Sequence, residues 1–243
     1  MNFPKAVAII LGAGVIAGAL SSRLTSGSHS LSTSPAARQS LLEVSLSGKD
    51  SAGAPAANPA PKSYQLDASQ SKFIAHALAG GLLWFKGHEH LVAVREFAGE
   101  AQLTPSSITP ASLEITAKAA SMEETSSVFT APQKQIINKE LREIVLQPDQ
   151  YPDIVFKSTN ITGKATGNDQ YELKIGGDLT LRGVTRPVTI PTQVKLMGKD
   201  LRARGEFSID RGDFKVKATS AMHGLIRVRD KLKFTFDIVG HQR

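Results

Sequence analysis

The chain has 243 residues, of which 41% are apolar and 21% charged, a globular balance with room for one large domain or two small ones. It contains no cysteine, which excludes disulfide scaffolds, zinc ribbons, thiol catalysis, iron–sulfur ligation and acylation of an N-terminal cysteine. A net charge of +7, from 29 basic and 22 acidic residues, favours anionic partners but specifies no fold.

Behind Met1 and a single early cation, Lys5, the stretch Ala6–Leu20 (AVAIILGAGVIAGAL) has no polar side chain. Such a run fits the apolar region of a secretory signal and falls short of the roughly twenty residues that span a bilayer. Ala17 and Ala19 place small residues two apart, as signal peptidase requires; an uncleaved anchor flanked by Arg23 is the alternative. Residues 1–20 are therefore predicted to be a signal peptide or N-terminal anchor, and the protein to be periplasmic or secreted. Residues 21–62 are dominated by Ser, Ala, Pro and Gly, with Pro35, Pro55, Pro59 and Pro61 among them. Too few large apolar side chains are present to offset the entropy of ordering, so a flexible linker is predicted. The folded domain is expected over residues 63–243.

Within that domain Leu113, Ile115, Ala117 and Ala119 alternate with Glu114, Thr116 and Lys118, the period-two pattern of a strand with one buried face. The same alternation runs through Tyr171, Leu173, Ile175, Leu179 and Leu181, and again through Leu232, Phe234, Phe236 and Ile238. Gly163, Gly167, Gly176, Gly177, Gly183 and Gly198 mark expected turns or bulges. Pro187 is tolerated only at an edge or a strand start. Between Ser126 and Pro148 the period changes. Ile136, Ile137, Leu141, Ile144 and Val145 fall at helical spacing, opposite Lys134, Lys139, Glu140 and Glu143, and Pro148 stops the segment. About eight strands with one inserted helix predict an all-β fold, a closed antiparallel barrel that leaves no exposed sheet edge. A barrel of this size is either filled by its own side chains or hollow. With 6% aromatic residues and many Ala, Val and Leu at alternating positions, the composition leaves both interiors open.

Five stretches, in order, carry a resemblance. They are YQLDASQSKF (Tyr64–Phe73), VREFAGEAQL (Val94–Leu103), YPDIVFKST (Tyr151–Thr159), GDLTLRGVTRPVTI (Gly177–Ile190) and ARGEFSIDRGDF (Ala203–Phe214). Together they resemble the YceI-like family, secreted proteins with a lipocalin-like barrel that bind polyisoprenoid lipids. The resemblance covers essentially all of residues 63–243. Two features depart from it: the cluster His88–Glu89–His90, and a basic tail after Phe214.

The resemblance implies an exported carrier that holds an isoprenoid lipid or isoprenoid quinone in a hydrophobic cavity. Alternation and motif position together assign Phe73, Val94, Phe97, Leu113, Ile115, Phe156, Leu179, Leu181 and Phe207 to its lining. His76, His88 and His90 are read as a polar rim at the mouth. No catalytic residue, metal or cofactor is expected, since no Gly-x-Ser-x-Gly motif and no cysteine are present. The alternative is a periplasmic metal- or haem-associated redox accessory using His88 and His90, which point to one face if they lie on one strand. A filled barrel with a structural role under stress is a third reading. From Lys195 onward twelve basic residues face six acidic ones, and Arg227, Arg229, Lys231 and Lys233 alternate as if along one strand face. That run is either a solvated exterior or a transient contact with an anionic membrane surface. Nucleic acid is not expected, because no aromatic stacking platform accompanies the run and the chain is read as exported. Arg211 is expected to pair with Asp210 or Asp213. A homodimer of barrels is left open.

Overall fold

The computed structural model describes residues 60–243. The predicted signal or anchor, and the predicted linker up to residue 59, lie outside the described residues. No helix among the described residues is long and apolar enough to cross a membrane.

The chain runs through β1 (Lys62–Ala77), β2 (Ala79–Gly80), β3 (His90–Val94), β4 (Phe97–Thr104), β5 (Ile108–Lys118) and β6 (Met122–Glu124) before its α-helix, α1 (Ala131–Glu140). There follow β7 (Asp153–Gly167), β8 (Gln170–Leu181), β9 (Val184–Met197), β10 (Asp200–Asp210), β11 (Ser220–Ala221), β12 (Ile226–Val228) and β13 (Lys231–Gln242). Eight of these strands close on themselves in the order β1-β4-β5-β7-β8-β9-β10-β13, with β13 returning to β1. Every neighbouring pair is antiparallel. The architecture is the closed antiparallel barrel predicted from the alternation, with β3–β6 extending one side and β11-β12-β2 forming a small separate sheet.

Closure depends on β1, which serves two neighbours. Its first residues, Lys62–Gln65, pair with Glu100–Leu103 of β4, while Ile74–Ala77 pair with His90–Ala93 of β3. Between these halves the register against β13 shifts, from Asp67 opposite Val239 to Lys72 opposite Asp237. At this bulge the Asp67 carboxylate accepts from the Ser69 N–H (2.8 Å) and hydroxyl (2.6 Å) and from Gln70 Nε2 (2.8 Å), replacing ladder bonds that the bulge forgoes. The closing seam is also held by polar side chains. Arg202 of β10 makes a two-pronged contact with Asp237 of β13 (2.6 and 2.7 Å), and His241 lies between Asp200 (2.8 Å) and Asp67 (3.3 Å).

The strands alternate as the sequence predicts. In β8 Tyr171, Leu173, Ile175, Leu179 and Leu181 are buried, and Glu172 and Lys174 between them face outward. Arg182 and Gly183 make the two-residue turn into β9, both with positive φ (50° and 70°), a geometry that suits glycine at the second place. Gly183 also lies against Tyr151, and Arg182 sits 5.8 Å over that ring while donating to the Lys215 carbonyl (3.0 Å) and to the Gln147 side chain. Two of the resembling stretches, around Tyr151 and around Gly183, thus meet in space. Pro187 lies where β9 pairs with β8 alone, since the β10 pairing begins at Thr192. Gly177 is not in a turn. It stands in β8 beside a register shift in β7, where an added Cβ would come 2.5 Å from the Lys157 carbonyl oxygen and 2.6 Å from Phe156 Cζ.

Three expectations need correction. The helical segment does run on toward Pro148, as α1 and then a π-helical stretch Leu141–Leu146, but its buried residues are Leu141 and Leu146. Ile136 and Ile144 are exposed instead, because that side of the helix faces the open cavity described below. The basic run Arg227, Arg229, Lys231 and Lys233 does not lie along one strand: Arg227 is in β12, Arg229 lies between strands, and Lys231 and Lys233 are in β13. Lys233 is paired across the ladder with Glu206 (2.7 Å), and Arg229 donates to the Ala79 carbonyl (2.8 Å). Arg211 pairs with Asp230 and donates to the Val216 carbonyl (2.9 Å), while Asp210 accepts from the Gly212 N–H (2.9 Å).

Two predictions follow from the packing and the seam. Gly177→Ala, which puts a methyl into occupied space, lowers unfolding stability by about 1–3 kcal/mol in urea titration. Hydrogen bonds to Asp200 and then Asp67 raise the His241 pKa above its ordinary 6.5. The stabilisation they give is therefore complete below pH 6.5 and fades as pH rises through the elevated value. The melting-temperature gap between wild type and His241→Gln is accordingly widest on the acid side of that value and narrows in mild alkali.

Candidate functional site

The inward residues of the barrel do not meet in the middle. They enclose a cavity of about 850 Å³ to which all eight barrel strands contribute. Phe73, Ala101, Ile115 and Phe156 line it from β1, β4, β5 and β7, and Leu179, Ile190, Ala203 and Phe234 from β8, β9, β10 and β13. That volume lies in the upper part of the range of roughly 300–1,000 Å³ usual for small-molecule sites. At the end where β1 and β8 begin, Tyr64, with no exposed surface, and Tyr171 are buried and form no part of the wall. The opposite end is open. There the wall is continued by α1 and the π-helical turn through Ile136 and Ile144, by the segment Lys86–His88 and by Ile226–Val228 of β12.

Of the nine residues assigned from sequence to the lining, Phe73, Val94, Leu113, Ile115, Phe156, Leu179, Leu181 and Phe207 stand in the cavity wall. Phe97 does not. It is buried in the core at the first position of β4, beyond the point at which β4 parts from β1, and the cavity does not reach it. The larger omission from the sequence reading is β13. Phe234 stacks on Phe207 (centroids 5.0 Å, interplanar 14°) and meets Phe73 edge-on at 6.2 Å; Phe236 meets Phe73 at 6.3 Å. The period-two run Leu232–Ile238 carried that signal, and all four of its apolar residues face the cavity.

The three histidines separate. His76 lies on the outer side of β1, between the inward Ala75 and Ala77, where Nδ1 meets Glu89 (2.8 Å) and Nε2 meets Thr235 Oγ1 (2.9 Å). It is a strap between strands and not part of the mouth. His88 and His90 do line the cavity, around Phe129, which stacks on His90 at 5.0 Å and is edge-on to His88 at 5.9 Å. His88 precedes β3 and His90 begins it, so the two do not share a strand. His90 Nδ1 is bonded to Glu124 (2.8 Å), whose side chain is wholly buried. Burial pushes the Glu124 carboxyl upward. Hydrogen bonds from His90 and from the N–H groups of Ser126 (2.7 Å) and Leu91 (3.1 Å) outweigh it and hold the group below the usual carboxylate range. Asn138 of α1 in turn accepts from the Glu124 N–H (2.8 Å), which ties the helix to β6 beside the mouth. Among the described residues no three His, Asp or Glu side chains are grouped to hold a metal ion, and what His88 and His90 share is a phenyl ring.

With the barrel, its hollow interior and its helical rim in place, the comparison with known families is decisive. The YceI-like domain matches residues 64–240. The chain belongs to the YceI-like family. Among solved structures this YceI-like chain is similar to BcnA of Burkholderia cenocepacia, at 22% identity and a TM-score of 0.57, over 72% of this chain and 98% of that one. It is also similar to a polyisoprenoid-binding domain from Saccharophagus degradans, at 11% identity and a TM-score of 0.53, over 74% of this chain and 98% of that one. At these identities the likeness establishes the shared fold. No curated protein matches the sequence.

Glu124 is expected to matter for the mouth through burial. Glu124→Ala strands two backbone N–H donors and His90, and it lowers stability by about 2–3 kcal/mol in chemical denaturation. Glu124→Gln, which keeps an acceptor in place, costs less.

Proposed function

We propose that this protein is an exported carrier of an isoprenoid lipid or isoprenoid quinone, which it sequesters in the barrel and does not chemically alter. The observation that carries the reading is the hollow apolar lumen of about 850 Å³, open at one end. In a packed core such a volume is destabilising, because each unfilled space forfeits dispersion contacts along its walls. A ligand that fills it recovers those contacts. Burial of a CH₂ group is worth about 0.8 kcal/mol, so one isoprene unit supplies roughly 3–4 kcal/mol. About eight such units would exceed the ceiling near −20 kcal/mol, so ordering of the chain offsets part of the gain. Shape and apolar lining therefore suffice, and no specialised side chain is needed to hold the hydrocarbon. The similarity to a polyisoprenoid-binding domain supports the same ligand class.

Export is the second part of the proposal. It rests on the apolar stretch Ala6–Leu20, cleaved or retained as an anchor, and places the carrier in the periplasm or outside the cell. In that setting the barrel takes up its cargo from a membrane and returns it to one.

The test is to fill the lumen from within. Ala101 and Ala203 both face the cavity, and Ala101→Trp with Ala203→Trp occupies much of it. Titrating delipidated full-length protein with a long-chain prenol should show saturable binding for wild type and at least about tenfold weaker binding for the double variant. Both proteins should give the same far-ultraviolet circular dichroism. Equal binding by the two would place the ligand outside the barrel and refute the proposal.

A further inference from the structure

Beside the cavity mouth the protein shows an apolar tip. Leu82, Trp84 and Phe85, in the segment between β2 and β3, are 76%, 55% and 61% exposed, and Leu78 and Leu225 flank them with exposed side chains. Single exposed apolar residues are ordinary, but five on two touching segments are not. The tip is a constructed surface. The Leu83 N–H donates to the Leu225 carbonyl (3.0 Å), the Arg229 N–H to the Leu78 carbonyl (2.9 Å), and Trp84 and Phe85 stand edge to face at 6.4 Å. Gly87 packs so tightly that a Cβ there would lie 2.5 Å from that of Ala79. The same segments contribute Lys86, Gly87, Ile226 and Arg227 to the cavity wall, so the tip adjoins the opening.

Cations surround these apolar groups. Arg229 lies 5.9 Å over the Trp84 ring, Lys86 and Arg227 stand at the mouth, and the neighbouring acid, Asp230, is held by Arg211. Tryptophan, phenylalanine and leucine ringed by Lys and Arg match the boundary between lipid headgroups and acyl chains, where amphipathic rings settle and cations meet anionic phosphates. A protein partner would not need the opening of an apolar cavity beside its docking surface. A bilayer surface does, if an apolar chain is to pass without crossing water.

We propose that this tip docks on an anionic membrane surface, inserting Leu82, Trp84 and Phe85 and setting the cavity mouth against the bilayer, so that lipid passes directly between the two. The role of the docking rests on the carrier reading above; the docking itself does not.

The protein supplies its own reporter, because Trp84 is the only tryptophan in the chain. Full-length protein is mixed with vesicles of phosphatidylcholine containing about a third phosphatidylglycerol, with and without brominated acyl chains. The expected result is a shift of Trp84 emission to shorter wavelength and quenching by the brominated chains, both weaker with pure phosphatidylcholine and at high salt. Quenching reads the tip itself, and attachment through the apolar N-terminal stretch would not produce it. Leu82→Ser with Phe85→Ser should lower the quenched fraction about tenfold or more. Lys86→Glu with Arg227→Glu should remove the preference for anionic vesicles. Both variants should keep the far-ultraviolet circular dichroism of the wild type, which shows that the barrel is intact. No quenching in wild type, or equal quenching in the Leu82/Phe85 variant, overturns the docking proposal. Quenching by a protein that binds no prenol upholds the docking and removes the carrier reading instead.

Discussion

Closure of β1 onto β13 is the constraint on which the rest of the structure depends. Once eight strands form a continuous ladder, the diameter of the cylinder is set by backbone hydrogen bonds and cannot shrink to suit the side chains inside. An open sheet with the same inward Ala, Val, Leu and Ile would fold over on itself and expel the empty space. Here the wall holds its span, and modest side chains such as Ala101 and Ala203 leave a volume of about 850 Å³ unfilled. The cavity is a consequence of closure combined with small inward residues.

Closure also explains why β1 is irregular. One strand must pair with β13 along most of its length, with β4 at its start and with β3 at its end. The bulge at Asp67–Lys72 is where that change of partner is accommodated, and the surrounding polar contacts of Ser69, Gln70 and His241 fall at this point of the cylinder. At the other end the wall is completed by the helix, the π-helical turn and the β2–β12 tip. Helical elements therefore gather around the opening, while Tyr64 and Tyr171 are packed into the core at the far end. This asymmetry distinguishes a container from a plain packed core.

The sequence displays the barrel because a half-buried strand imposes a strict period of two, and that pattern survives in β8 and β13 and in β5 from Ala111 onward. Most of the lining was legible for the same reason: a residue such as Leu179 faces inward by parity alone. What parity does not reveal is how far along each strand the cavity extends, so Phe97 reads like its neighbours and yet lies outside the wall. The helix misleads for a related reason. Ile136 and Ile144 have the spacing of a buried face, but the surface they face is a cavity open to solvent. His76 and the His88/His90 pair are close in sequence, and only the turn between β1 and β3 shows that they occupy opposite sides of the wall. The exposed tip carries no periodic signal at all, since its apolar residues are adjacent and are brought into one patch by contact with a segment more than a hundred residues away.

In the resulting account the protein combines a rigid cylinder, an apolar interior and a mouth edged with aromatic and charged side chains. Of the histidines at the opening, His90 is hydrogen-bonded to buried Glu124 and His88 packs edge-on against Phe129, while His76 ties strands together on the outer side of the wall. The central claim is that the lumen shelters a hydrocarbon chain. Native mass spectrometry of the full-length protein, transferred gently from its expression host, addresses it most directly. The account predicts a bound species of added mass that dissociates on activation and is identified as an isoprenoid by fragmentation. A spectrum containing the bare polypeptide alone, unchanged after incubation with prenol or isoprenoid quinone, would contradict it.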